Sequence, residues 1–169
     1  MTRPATTTIT DISTKLTAIL DAWDSRTLTD QHAADLARLT NEHLSVRDAL
    51  IVHIIAPDTS RDTIMDAALH PHRPDMVTFM GHILTREFTG GHVDTQRLAQ
   101  EGANVAGIVQ RVPDDIPCAQ LETIAAYLLW WGGDTHAAMA HALTALAIDE
   151  TCSLAAIVIG AVRRDIMPM

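Results

Sequence analysis

From Thr10 onward the apolar residues recur at helical spacing along nearly the whole chain. Ile12, Leu16, Ile19, Leu20 and Trp23 fall at i, i+4, i+7, i+8 and i+11, which is one face of a helix. Residues 1–9 are Thr-rich and carry no such pattern, so a frayed or disordered start is expected, with a single helical domain over 10–169. Thr29 is placed to cap DQHAADLARLTNEH, whose inner stripe is Ala33, Leu36, Ala37 and Thr40. Ser45, with Asp48 three residues on, is an acidic variant of the capping box ahead of VRDALIVHIIA, and Pro57 ends that helix. Ser60 caps a short helix, RDTIMDAALH, which runs into Pro71 and Pro74.

Pro74 suits the first turn of PDMVTFMGHILTREF, and Gly90-Gly91 would supply a left-handed C-terminal cap. Asp94 caps a longer helix reaching about Arg111, with Leu98, Val105, Val109 and Val112 inward. Gly102 and Gly107 each weaken that helix by roughly 1 kcal/mol relative to Ala. RVPDDIP holds two prolines and cannot be helical throughout. Three helices follow, over Ala119–Trp131, Thr135–Ile148 and Ser153–Arg163. No segment alternates at period two with β-branched enrichment. The expected class is all-α, a compact bundle of eight or nine helices.

The most specific local pattern is LETIAAYLLWWGGDTHAAMAHALTALAIDE, residues 121–150. Two helices of similar length meet at Gly133-Asp134, where Gly permits a left-handed turn and Asp caps the second helix. Ala138 and Ala145 let antiparallel helices approach closely, with Leu146 and Ile148 expected to fill the space beyond. The segment resembles one tetratricopeptide repeat, departing from it at Leu129 (Tyr in the repeat) and Glu150 (Pro). No second copy occurs at the 34-residue period of that repeat, so the pattern reads as one tight hairpin inside a bundle and not as an array.

With its flanks the hairpin resembles the C-terminal helical half of an uncharacterised actinobacterial domain family. Val46-Arg47-Asp48-Ala49, Trp130, Gly133-Asp134, Ala138, Ala145-Leu146, Asp149 and Leu154-Ala155 match in order, over about residues 26–168. Full-length members usually carry an α/β N-terminal half that this sequence does not contain. The resemblance implies a helical fold and an actinobacterial host, and it carries over no catalytic residue.

Composition narrows the partners. Twelve Lys+Arg against twenty-one Asp+Glu give a net charge of −9, which argues against a protein whose affinity comes from neutralising phosphates. Arg163-Arg164 is the sole adjacent basic pair, and a pair closing a helix is placed to interact with the macrodipole. No run of about 18 apolar residues exists to span a membrane, and the N-terminus lacks a signal peptide's apolar core. Cys118 and Cys152 have no nearby Cys or His at ligand spacing and read as small apolar residues, so a reducing, cytoplasmic setting is expected.

Nine histidines raise the question of a metal. His70 and His72, with Asp66 one turn back, form the one weak candidate set, but the junction is Pro-rich and no His-Glu-x-x-His motif exists. His136 and His141 are five apart and diverge around their helix, while His53 in VHII reads as a core or helix-end histidine. Ser13, Ser25, Ser45, Ser60 and Ser153 sit at caps or turns, none in a nucleophile elbow, and neither Gly-Gly pair follows a strand. Asp114-Asp115 reads as a turn. No cofactor is expected and nothing positive argues for an enzyme.

The leading functional expectation is therefore a helical protein–protein interaction or self-association module. Its surface is expected at Trp130, Trp131, Leu154, Ile157 and Ile159: LAAIVIGAV is apolar almost all round, and adjacent tryptophans point about 100° apart, so a homodimer through the C-terminal helices would cover them. The alternatives are a small-ligand or metal-binding protein or enzyme with a His-containing pocket between helices, and a regulatory DNA-associated protein.

Overall fold

The computed structural model describes residues 8–90 and 93–168, and every regular element in them is a helix. In chain order these are α1 (Ile9–Asp24), α2 (Asp30–Glu42), α3 (Leu44–Ile55), α4 (Arg61–Leu69), α5 (Pro74–Thr89), α6 (Thr95–Val109), α7 (Ala119–Trp131), α8 (Thr135–Ile148) and α9 (Ser153–Arg163). The all-α bundle read from the periodicity is the fold. Of the expected frayed start, residues 1–7 lie outside the described residues. Thr8 and Ile9 are ordered into α1: Thr8 caps it and forms a full capping box with Asp11.

The bundle is organised around α7. All of its side chains except Tyr127 are buried, and α2, α3, α6, α8 and α9 pack around it. AQLETIAAYLLWW offers no broad polar face, which suits a helix surrounded on all sides. Its neighbour α3 (LSVRDALIVHII) has the same character and buries eight of its twelve residues. The outer helices are amphipathic. Ile12, Leu16, Ile19, Leu20 and Trp23 of α1 face inward as their spacing requires, and so does the Ala33, Leu36, Ala37, Thr40 stripe of α2.

Caps set most helix starts. Thr29, Ser60, Asp94 and Asp134 each accept a hydrogen bond from the backbone N–H three residues on. At α2 the capping box is completed by His32, whose Nδ1 accepts the Thr29 N–H at 3.2 Å. Two expected caps differ. Helix α3 starts at Leu44 behind His43 with no side-chain cap, because Ser45 Oγ donates instead to the Ala68 carbonyl at 2.7 Å and ties α3 to α4. Gly90 has φ −80°, so the left-handed turn is not made there, and Gly91 lies outside the described residues.

Helix α6 runs unbroken through Gly102 and Gly107, and Gly102 has a packing reason. A Cβ there would lie 2.7 Å from Leu129 Cγ and 2.9 Å from the Leu129 backbone N. One turn along the same seam, a Cβ on Gly132 would lie 2.4 Å from the Ala99 backbone N. Two glycines, one from each side, thus let α6 and α7 approach at backbone distance.

The α7–α8 hairpin turns at Gly133, the sole glycine of positive φ among the described residues (+84°), and Asp134 caps α8. Ala138, Ala142 and Ala145 are fully buried against α7, whereas Leu146 is half-buried and Ile148 is 46% exposed, so Ile148 does not fill the core. Substituting Ala138→Leu is expected to destabilise the fold by roughly 1–3 kcal/mol in a urea titration, since the close approach leaves no space for the added methylenes.

Candidate functional site

Trp130 and Trp131 are covered by the chain itself. They are 5% and 1% exposed. Phe88 of α5 lies over both, with ring centroids 5.8 Å from Trp130 and 5.7 Å from Trp131, and Tyr127 flanks them at 5.5 and 6.0 Å. The Trp130 indole N–H donates to the Ile166 carbonyl at 2.8 Å, which folds the segment after α9 back onto the cluster. Ile159 is also buried. Both tryptophans and Ile159 are therefore corrected from surface to core. The hairpin's own residues do not reveal this cover, because Phe88 arrives from more than forty residues upstream. Of the five expected surface residues, Ile157 is exposed (58%) and Leu154 is half-buried. Helix α9 is covered on one side only.

That open side forms a groove with α5. A cavity of about 340 Å³ lies between Met80, Gly81 and Leu84 of α5 and Leu154 of α9, floored by Ile51 and Tyr127. Val77 (59% exposed) is one turn before Met80 and Gly81 on the same face of α5, and Ile157 is one turn after Leu154 on α9. At the inner end Arg47, nearly buried, donates through Nη2 to Asp48 Oδ1 at 2.7 Å and through Nη1 to Gln120 Oε1 at 2.9 Å. Its charge is neutralised in place, and the groove presents an apolar surface.

The weak metal set is not assembled. The Asp66 carboxylate accepts from Arg73 Nη2 at 2.9 Å, while the same guanidinium binds Asp75 through Nε at 2.7 Å. His70 and His72 are exposed on the turn after α4. No grouping of three or more His, Cys, Asp or Glu able to hold a metal occurs among the described residues. Cys152 is buried with its sulfur 2.9 Å from Thr123 Oγ1, and burial, with the nearby Glu122, pushes the half-buried Cys118 thiol up.

Histidines 141 and 53 acquire carboxylate partners that the sequence did not reveal. The buried Glu122 of α7 meets His141 Nδ1 of α8 at 2.6 Å across the hairpin, and this hydrogen bond holds the His141 pKa above its usual value despite burial. The protonated form is thus favoured in the folded state. Its stabilisation is complete below the unfolded histidine pKa and disappears as pH rises through the elevated folded value. The urea midpoint of the protein should fall as pH rises above the ordinary histidine value of 6.5, and His141→Gln should flatten that fall; an unchanged slope would remove the pair as its source.

His53 lies near the C-terminal end of α3 and hydrogen-bonds through Nε2 to Asp24 Oδ1 at 2.9 Å. Arg61 holds the other oxygen of Asp24 at 2.6 Å. Beside this pair, Arg26 takes a left-handed backbone (φ +58°), uncommon for a residue with a side chain, and reaches both oxygens of Glu101. Glu101 is buried. Burial acts to raise its pKa, but the hydrogen bonds from Arg26 and Asn104 outweigh it and hold the carboxyl below the usual range. Between them lies a polar cleft of about 360 Å³ where the ends of α1 and α3 meet the start of α6. Among the described residues no helix is long and apolar enough to cross a membrane. Comparison of the chain with protein-family models, with curated proteins and with solved structures finds no match.

Proposed function

We propose that this protein is a helical self-association module whose docking face is the groove between α5 and α9, occupied by the same face of a second copy. The observation that supports it is an apolar groove whose two helices each carry a large exposed apolar side chain one turn from the lining residues, Val77 on α5 and Ile157 on α9. A chain of net charge −9 repels a second copy over most of its surface. The α9 side of the groove adds nothing to that repulsion, because SLAAIVIGAV carries no charge, and Asp48 in the lining is paired with Arg47. A two-fold dimer pairs one patch with itself, so Ile157 of each copy would enter the groove of the other. The resemblance to an actinobacterial family is part of this reading, since it offers a helical scaffold with no catalytic set.

Light scattering behind size exclusion tests it. The expected mass is twice the 18.4 kDa of the chain at micromolar concentration. Ile157→Asp should weaken association by roughly tenfold or more while leaving the melting temperature of the monomer unchanged, because the side chain is exposed. A wild-type protein at 18.4 kDa throughout the concentration range rejects the proposal.

A further inference from the structure

The polar cleft between α1, α3 and α6 is built from groups that have no role in the groove, and its hydrogen bonding is unbalanced. Its lining side chains include Trp23, Asp24, Arg26, His53, Arg97 and Glu101. The two carboxylates are engaged: Glu101 by Arg26 and Asn104, Asp24 by His53 and Arg61. The donors are not used up. Arg97 donates through Nη1 to the Ile54 carbonyl at 2.6 Å and through Nη2 to the Ile55 carbonyl at 3.3 Å, so its bonds go to neutral acceptors. A guanidinium has five N–H donors, so Arg97, which lines the cleft, keeps donors that no protein acceptor takes.

We infer that this cleft binds a small organic carboxylate, with the carboxylate on Arg97 and the body of the ligand against Trp23 and Pro57. The volume, about 360 Å³, lies within the range of small-molecule sites. Arg97 is the lining guanidinium whose hydrogen bonds go only to neutral carbonyls, and it calls for an anionic acceptor. The carboxylates Asp24 and Glu101 on the same walls select a monoanion over a phosphate dianion, which they would repel. The frame is rigid before any ligand arrives: Trp23 and Glu101 are nearly fully buried, and the left-handed Arg26 is fixed by its bonds to Glu101. Strained backbone of this kind persists where the surroundings hold it, and binding clefts are a common place for it.

The test uses the full chain and benzoate as the probe, followed by NMR at the indole N–H of Trp23 and the ring signals of His53. A saturable shift is expected, with a Kd on the order of 1 mM or tighter. Benzyl alcohol, the neutral isostere, and inorganic phosphate should each bind at least about tenfold more weakly. Arg97→Gln, which removes the charge, should lose roughly tenfold in benzoate affinity in protein whose far-UV circular dichroism matches wild type. Absence of a saturable shift in the wild-type protein up to about 20 mM benzoate overturns the site whatever the variant does. Equal binding of benzyl alcohol, tighter binding of phosphate, or undiminished binding by a folded Arg97→Gln protein would each overturn the carboxylate assignment.

Discussion

Replacing Trp131 with alanine is expected to lower the unfolding free energy by about 3–5 kcal/mol. The side chain is 1% exposed at the end of the central helix. It meets Phe88 edge-on and also contacts the rings of Tyr127 and Trp130, so its removal leaves a cavity bordered by three aromatic rings belonging to two helices. Rings of this kind are too rigid to collapse into the space, which places the cost toward the top of the range. In a protein of this length the melting temperature should fall by roughly 10 °C. Phe88→Ala supplies the complementary measurement. If α5 is what shields the pair, acrylamide should quench tryptophan fluorescence more strongly in that variant, and unchanged quenching would assign the shield elsewhere.

Gly132→Ala is expected to cost about 3 kcal/mol, more than overpacking usually does, because the obstacle is backbone. An added Cβ would stand 2.4 Å from the nitrogen and 2.6 Å from the Cα of Ala99. A crowded side chain can rotate away, but here α6 itself must move, and α6 is fastened to α7 over its length. The φ of Gly132 is −77°, which any residue adopts, so the penalty is purely one of space. Gly107, by contrast, has nothing within 4 Å of such a Cβ, and Gly107→Ala should be neutral or stabilising through its gain in helix propensity. Denaturant unfolding of the two variants side by side separates packing from propensity: an equal response would mean that the seam does not constrain position 132.

Local features of this fold were readable because they rest on neighbours in the sequence. The inward faces of α1 and α2 depend on spacing within a single helix, and the caps at Thr29, Ser60, Asp94 and Asp134 and the left-handed turn at Gly133 on residues within one helical turn. Features that depend on distant parts of the chain were not readable. Gly102 looks like a weak point in its own helix, and only the approach of Leu129 shows it to be a required absence of side chain. The tryptophan pair looked like an interface because Phe88 sits in a helix that meets it only in three dimensions. Ser45 carries the right signature for a cap and spends its hydroxyl on Ala68 instead. The same limit governs the candidate sites: Ile157 was legible as an uncovered apolar residue, whereas the polar cleft joins residues 23–26, 53–57 and 97–101 and has no sequence spacing to betray it.

Helix α5 is long but lightly fastened, with only Met76 and Ile83 buried among its sixteen residues. Elements with so few buried contacts open at a small fraction of the free energy needed to unfold the whole molecule. Its amide hydrogens will therefore trade with solvent well before those of α7, and each such excursion lifts Phe88 from the indoles and takes away one wall of the groove. The rim carrying Val77 and the lid over the tryptophans belong to one piece of chain, so whatever seats itself against α5 also slows the exchange of the aromatic cluster behind it.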